Sequence, residues 1–258
     1  MNIDNIDVEE AVNISTYTND IYLETCSFIT QKTEAIPATL ALSMLQAGNK
    51  RFVENRSILL NNSQLRVKQS QEDQDPFAVV FGCSDSRPAP TIIFNRGSSD
   101  IFEARTAGEI IYNNFDITQN SAQVVESIQF GVNILKVRLL LIMGHTNCGA
   151  VIYTQNYFNA NTTTPQQPAP STEPYNVVYN SLYNAYSKYP GGAEAPNEYT
   201  VPIINAQAED VAKYLYDNSQ IIRDEVANKN NNRFGNLQIW TAIYNDDTGV
   251  VDTYKKIY

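Results

Sequence analysis

A chain of 258 residues, 43% of them hydrophobic and 18% charged, has the apolar content for one large core and is unlike a disordered tail. Its formal net charge of −10, with no run of Lys or Arg, excludes nucleic acid as a main partner. No stretch approaches the ~20 apolar residues of a membrane helix, and the acidic opening MNIDNIDVEE lacks the basic-then-apolar order of a signal peptide, so a cytoplasmic protein with no membrane partner is expected.

Residues 1–37 are polar, rich in Asn and Thr, and bounded by Pro37; they read as an N-terminal arm ahead of one α/β domain over 38–258. From Ala38 to Phe52 the apolar positions Leu40, Leu42, Met44 and Leu45 predict a helix, which Gly48 and Asn49 are expected to end or bend. Phe77 to Phe81, FAVVF, is a continuous apolar run, the pattern of a strand buried on both faces in a parallel sheet. Asp100 to Arg105 reads as a second strand and Gln119 to Leu135 as a helix.

Val137 to Met143 is another buried strand, ending in Gly144-His145, and Gly149 to Phe158 is the helix that leaves it. Residues 159–202, dominated by Asn, Thr, Pro, Ser and Tyr, read as a polar inserted loop. Ile203 to Asn228 carries one long helical pattern, followed by a hairpin of Leu237 to Tyr244 and Val250 to Tyr254 turning at Asp246-Asp247-Thr248-Gly249. The alternation of strand and helix predicts a mostly parallel central β-sheet flanked by helices, with the terminal hairpin adding an edge strand.

Three cysteines, Cys26, Cys83 and Cys148, cannot all pair within one chain, so reduced thiols are expected. The single histidine, His145, stands three residues before Cys148, and Cys83 follows a different strand. Two thiolates and one imidazole are a donor set that zinc favours, and three protein ligands leave a fourth tetrahedral position open for chemistry. Two buried thiols and a histidine can also be plain packing, and each half of the pattern alone is weak. Asp85, two residues from Cys83, is within reach of the fourth position, while Arg87 can hold its carboxylate away through a bidentate pair.

The segments FGCSDSRP and GHTNCGA resemble the two signatures of the β-class carbonic anhydrases. The likeness extends to Gly48-Asn49-Lys50-Arg51-Phe52 before the first signature and to Ala242-Ile243-Tyr244 through Thr248-Gly249-Val250 at the end. It implies one Zn²⁺ per subunit held by Cys83, His145 and Cys148, with Asp85 as a fourth ligand in a closed state. It implies Asp85 and Arg87 as the catalytic pair, and Gln74, Phe102, Phe130 and Gly149 as the residues that bind CO₂ and bicarbonate. A homodimer or dimer-based homo-oligomer with pockets at the subunit interface goes with it.

The activity so implied is reversible hydration of CO₂ to bicarbonate and a proton. The alternatives are a related zinc hydrolase acting on CS₂ or COS, and a zinc-binding structural protein whose catalysis has decayed. The first rests on the same zinc chemistry with an entry narrowed by the inserted loop, and the second mainly on a departure: Arg105-Thr106-Ala107-Gly108-Glu109 stands where the family usually has Arg-Asn-Ala-Gly-Asn, so two amides are lost and a carboxylate is gained. The family's second bicarbonate site resembles a Trp, Arg and Tyr cluster, and Val80 here takes the place of its Trp beside Arg105 and Tyr244.

Overall fold

Five strands form one sheet in the order β2-β1-β3-β4-β5: β1 (Ala78–Cys83), β2 (Ile101–Thr106), β3 (Leu139–His145), β4 (Gln238–Tyr244) and β5 (Val251–Lys256). The first four run parallel and β5 is antiparallel to β4. The computed structural model describes residues 36–57, 74–112, 122–161, 169–189, 196–229 and 235–258, so the expected arm up to residue 35, Cys26 included, lies outside the described residues. Every residue of AVVFGC and of LLLIMGH is buried, as the unbroken apolar runs require of strands covered on both faces.

One face of the sheet packs Val79, Phe81, Leu140, Ile142 and Ile239 against α3 (Ala122–Asn133), α6 (Pro196–Asn218) and α7 (Gln220–Val226). The other packs Ala78, Val80, Leu139, Leu141 and Met143 against α1 (Ala38–Val53) and the short α2 (Pro90–Ile93). A third apolar cluster lies at the carboxyl end of the strands, where α4 (Gly149–Ala160) and α5 (Asn176–Ser187) surround Cys83 and Cys148. Among the described residues no helix is long and apolar enough to cross a membrane.

Three expectations change. Helix α1 passes straight through Gly48 and Asn49. A Cβ at position 48 would lie 1.8 Å from the Phe94 carbonyl oxygen, so glycine is there for close approach of helix and backbone rather than to stop the helix. Asn49 sends its side chain to the carbonyls of Ile93 and Gly249 and receives the Val251 N–H, which ties α1 to the terminal hairpin.

The stretch 159–202, expected as a loop, holds the end of α4, all of α5 and the start of α6. Tyr179, Leu182, Ala185 and Tyr186 recur at helical spacing and are buried, and a reading that counts Tyr as polar hides this stripe. The single helix expected over 203–228 is two, because Ser219 adopts an extended conformation and caps α7 by accepting the Ile222 N–H at 3.1 Å.

Candidate metal centre

Parallel pairing of β1 with β3, Gly82 opposite Met143, brings the carboxyl ends of the two strands together, and with them Cys83 and His145. Cys148 follows through a tight turn in which Asn147 has φ 53°, a left-handed conformation that asparagine tolerates, and it forms the N-cap of α4. The Cys83 and Cys148 sulfurs are 4.0 Å apart, and the donor atoms of Cys83, His145 and Cys148 all lie within 4.8 Å of one another. Two thiolates on a tetrahedral zinc stand about 3.8 Å apart for bonds near 2.3 Å, so the spacing needs little adjustment.

All three side chains are buried, and His145 Nε2 has no hydrogen-bond partner. The other ring nitrogen, Nδ1, donates to Asp246 Oδ2 at 3.1 Å, a bond that makes Nε2 the lone-pair nitrogen once the ring gives up its second proton. An orphaned imidazole nitrogen between two thiols is the donor set a zinc-like ion needs, so the residues fit such a group.

The Cys83 sulfur accepts the backbone N–H groups of Asp85 at 3.4 Å and Gly108 at 3.3 Å. Gly108 aims its N–H from φ 66°, a conformation that costs a side-chain-bearing residue energy. Hydrogen bonding from the Cys148 thiol, opposed by burial and helped by those backbone donors, lowers the Cys83 pKa to about 4. The Cys148 thiol, as donor to that thiolate and buried besides, is pushed up. Burial opposes charge on His145, but the Cys83 thiolate and the Glu109 and Asp246 carboxylates outweigh it and raise the imidazole to about 9.

Asp85 does not point into this donor set in the structure. Arg87 grips it bidentately, Nε to Oδ1 at 2.9 Å and Nη2 to Oδ2 at 2.6 Å, and the Arg87 backbone N–H adds a third bond to Oδ1. That clamp holds the Asp85 carboxyl down at about 2. Arg87 also reaches the Asn147 carbonyl at 3.1 Å and Asp246 Oδ2 at 2.9 Å, so one guanidinium ties both ligand loops together.

Other sequence-derived residues fall in two groups. Gly149 opens α4 beside Cys148, and nothing lies within 4 Å of where its Cβ would be, so the space a side chain would take there is open. Gln74 is exposed ahead of β1, at the opposite end of that strand from Cys83. Phe102 pairs with Val79, four residues below the level where Thr106 meets Cys83, or about 13 Å along the strand. Its ring stacks on the half-exposed Phe130 at 6.3 Å. Within one chain these three do not join the metal cluster.

Glu109, the acid that replaces an amide, is buried at φ 52° with Oε1 unpartnered, and burial followed by repulsion from Cys83 raises its pKa to about 8. Arg105 donates to the Cys83 carbonyl at 2.8 Å and to the Asp85 carbonyl, so it braces the first ligand loop. Asp246 is legible in the sequence only as a turn residue, and Thr146, whose hydroxyl accepts the Asp246 N–H at 2.9 Å, only as a member of the GHTNCGA segment.

Residues 78–251 match the family profile described as carbonic anhydrase. The carbonic anhydrase of Mycolicibacterium smegmatis is 40% identical over 111 residues, which cover 43% of this chain and 50% of that relative. The chain spans about half the length of the curated mycobacterial relatives it matches. In fold it is similar to a Coccomyxa β-carbonic anhydrase solved with acetazolamide, at TM-score 0.56 and 21% identity over 74% of this chain and 77% of that one. Tetrameric β-carbonic anhydrases of Sordaria macrospora give 0.53 and 19% over 85% and 94%. With the profile spanning most of the chain and the donor set inside the matched residues, the chain belongs to the β-class carbonic anhydrase family.

Proposed function

We propose that the chain catalyses reversible hydration of CO₂ to bicarbonate and a proton, with one zinc per subunit held by Cys83, His145 and Cys148. The observation that carries this reading is the meeting of those three donors beside an Asp85 carboxylate that Arg87 holds ionised. Zinc bound there would supply Lewis acidity, making a water molecule nucleophilic near neutral pH.

The chain's own residues then do the following. Asp85, both oxygens already fixed by Arg87, accepts a hydrogen from that water and orients its attacking lone pair. The Gly149 backbone, at the N-terminus of a helix and with open space where a side chain would lie, offers an N–H to a CO₂ oxygen as negative charge develops on it. His145 is the only histidine, so the proton leaves through carboxylates or buffer rather than through a second imidazole.

Gln74, Phe102 and Phe130 contribute to a pocket only if a second copy presents them. Their placement on the edge strand β2, the segment before β1 and the outer side of α3 suits a homodimer or a larger dimer-based assembly, and the Sordaria macrospora proteins similar in fold are tetrameric. A cytoplasmic location, read from the sequence, goes with this proposal.

The test is CO₂ hydration by stopped flow on zinc-quantified protein, beside Cys148→Ser. Turnover in the parent and its loss, with loss of zinc, in the variant is the expected result. Zinc at one per chain without turnover would reject CO₂ hydration and move the chain to a CS₂ or COS substrate or to a zinc-holding structural role.

A further inference from the structure

Asp246 sits where the loop after β4 folds over the metal centre. His145 pairs with Tyr244, the last residue of β4, and the turn that begins two residues on brings the Asp246 carboxylate to the His145 ring. Its backbone N–H is pinned by Thr146, and its carboxylate is almost wholly buried, 4% exposed. A buried carboxylate is costly unless charged or polar donors answer it. Here Oδ2 accepts a hydrogen bond from His145 Nδ1 at 3.1 Å and forms an ion pair with Arg87 Nη1 at 2.9 Å. Among the described residues Oδ1 has no hydrogen-bond partner, so the contacts of Oδ2 are the ones that answer the buried carboxylate.

We infer that Asp246 is the positioning residue that joins the two working halves of the site, fixing the His145 ring for the metal through one contact and the Arg87 clamp on Asp85 through the other. A carboxylate can only accept, so its bond to Nδ1 sets the tautomer that leaves Nε2 for zinc. The same oxygen anchors one edge of the Arg87 guanidinium, whose Nε and Nη2 hold Asp85. Ligand orientation and the withdrawal of Asp85 from the donor set thus share one support. Asp247, the next residue, offers a control, since its backbone N–H bonds Asn245 Oδ1 and its side chain has no hydrogen bond among the described residues.

This inference rests on the zinc-dependent reading above. It is tested by the zinc dissociation constant of the purified full chain, measured by competition with a chromophoric chelator in Asp246→Ala, Asp246→Asn and Asp247→Ala. Loss of a carboxylate behind a ligating histidine weakens metal binding by about 10–100-fold, so Asp246→Ala is expected in that range and Asp246→Asn, an uncharged acceptor of the same size, between it and the parent. Asp247→Ala should match the parent. Cobalt-substituted Asp246→Asn should also show shifted d–d bands, which a purely structural role would leave in place. At saturating zinc, CO₂ turnover of both Asp246 variants should still fall, because Arg87 has lost a support.

Parental zinc affinity and an unshifted cobalt spectrum in either folded Asp246 variant would overturn the inference. If Asp246→Ala does not fold, Asp246→Asn decides it alone. A parent that binds zinc but does not hydrate CO₂ would reject the proposed activity, and the affinity and cobalt measurements would still judge Asp246.

Discussion

Cys83 and Cys148 divide one negative charge between them. The Cys83 thiol ionises at about 4, the Cys148 thiol is pushed up by the thiolate it serves, and the His145 imidazole stays protonated until about pH 9. Zinc takes two thiolates and a neutral imidazole, so loading the metal at pH 7.5 must expel a proton from Cys148 and one from His145, about two in all. The sign follows: zinc binding tightens as pH rises and loses His145's share of that slope above about 9. Calorimetric titration in buffers of differing ionisation enthalpy counts the protons directly, and release near zero would contradict this ionisation pattern. The donors themselves were legible in the sequence because Cys and His are scarce and chemically distinctive. Asp246 was not, nor was the bracing role of Arg105, because both depend on hydrogen bonds between loops that no spacing along the chain records.

Helix α1 shows how a single element can invert an ordinary rule. Gly→Ala inside a helix usually stabilises, by about 1 kcal/mol. At Gly48 the new Cβ would meet the Phe94 backbone carbonyl at 1.8 Å, and backbone cannot swing aside. Gly48→Ala should therefore destabilise by about 1–3 kcal/mol, as overpacking does, read as a lower urea midpoint at unchanged slope. The buried strands could be read from sequence because a strand covered on both faces leaves an unbroken apolar run. Helix α5 could not, since its buried stripe is built from Tyr179, Leu182, Ala185 and Tyr186 amid Asn and Ser, and a composition that polar reads as loop. The division of α6 from α7 depends on Ser219, whose hydroxyl both caps α7 and accepts Gln129 Nε2 from α3 at 2.8 Å, a tertiary contact without a local signature.

Across the whole molecule, one buried ion pair joins pieces distant in sequence. Arg138, at the entry to β3, is fully buried and gives Nη1 to Glu225 of α7 at 2.5 Å, Nη2 to the Val132 carbonyl at 2.6 Å and Nε to the Lys136 carbonyl at 2.9 Å. Removing the acid strands a guanidinium where water does not reach. Glu225→Ala should cost about 3–5 kcal/mol, seen in chemical denaturation, although the pair lies at the amino end of β3, away from the metal donors. Zinc stoichiometry per folded chain should be unchanged.

The donors come from strand ends brought together by tertiary pairing, with Cys148 65 positions after Cys83. A short ligand motif can seize its ion from an unfolded chain and fold around it. Here the three donors meet through the pairing of β1 with β3, so an ion held by all of them would have to wait for that pairing, and the rate of metal capture would act as a clock for completion of the central sheet.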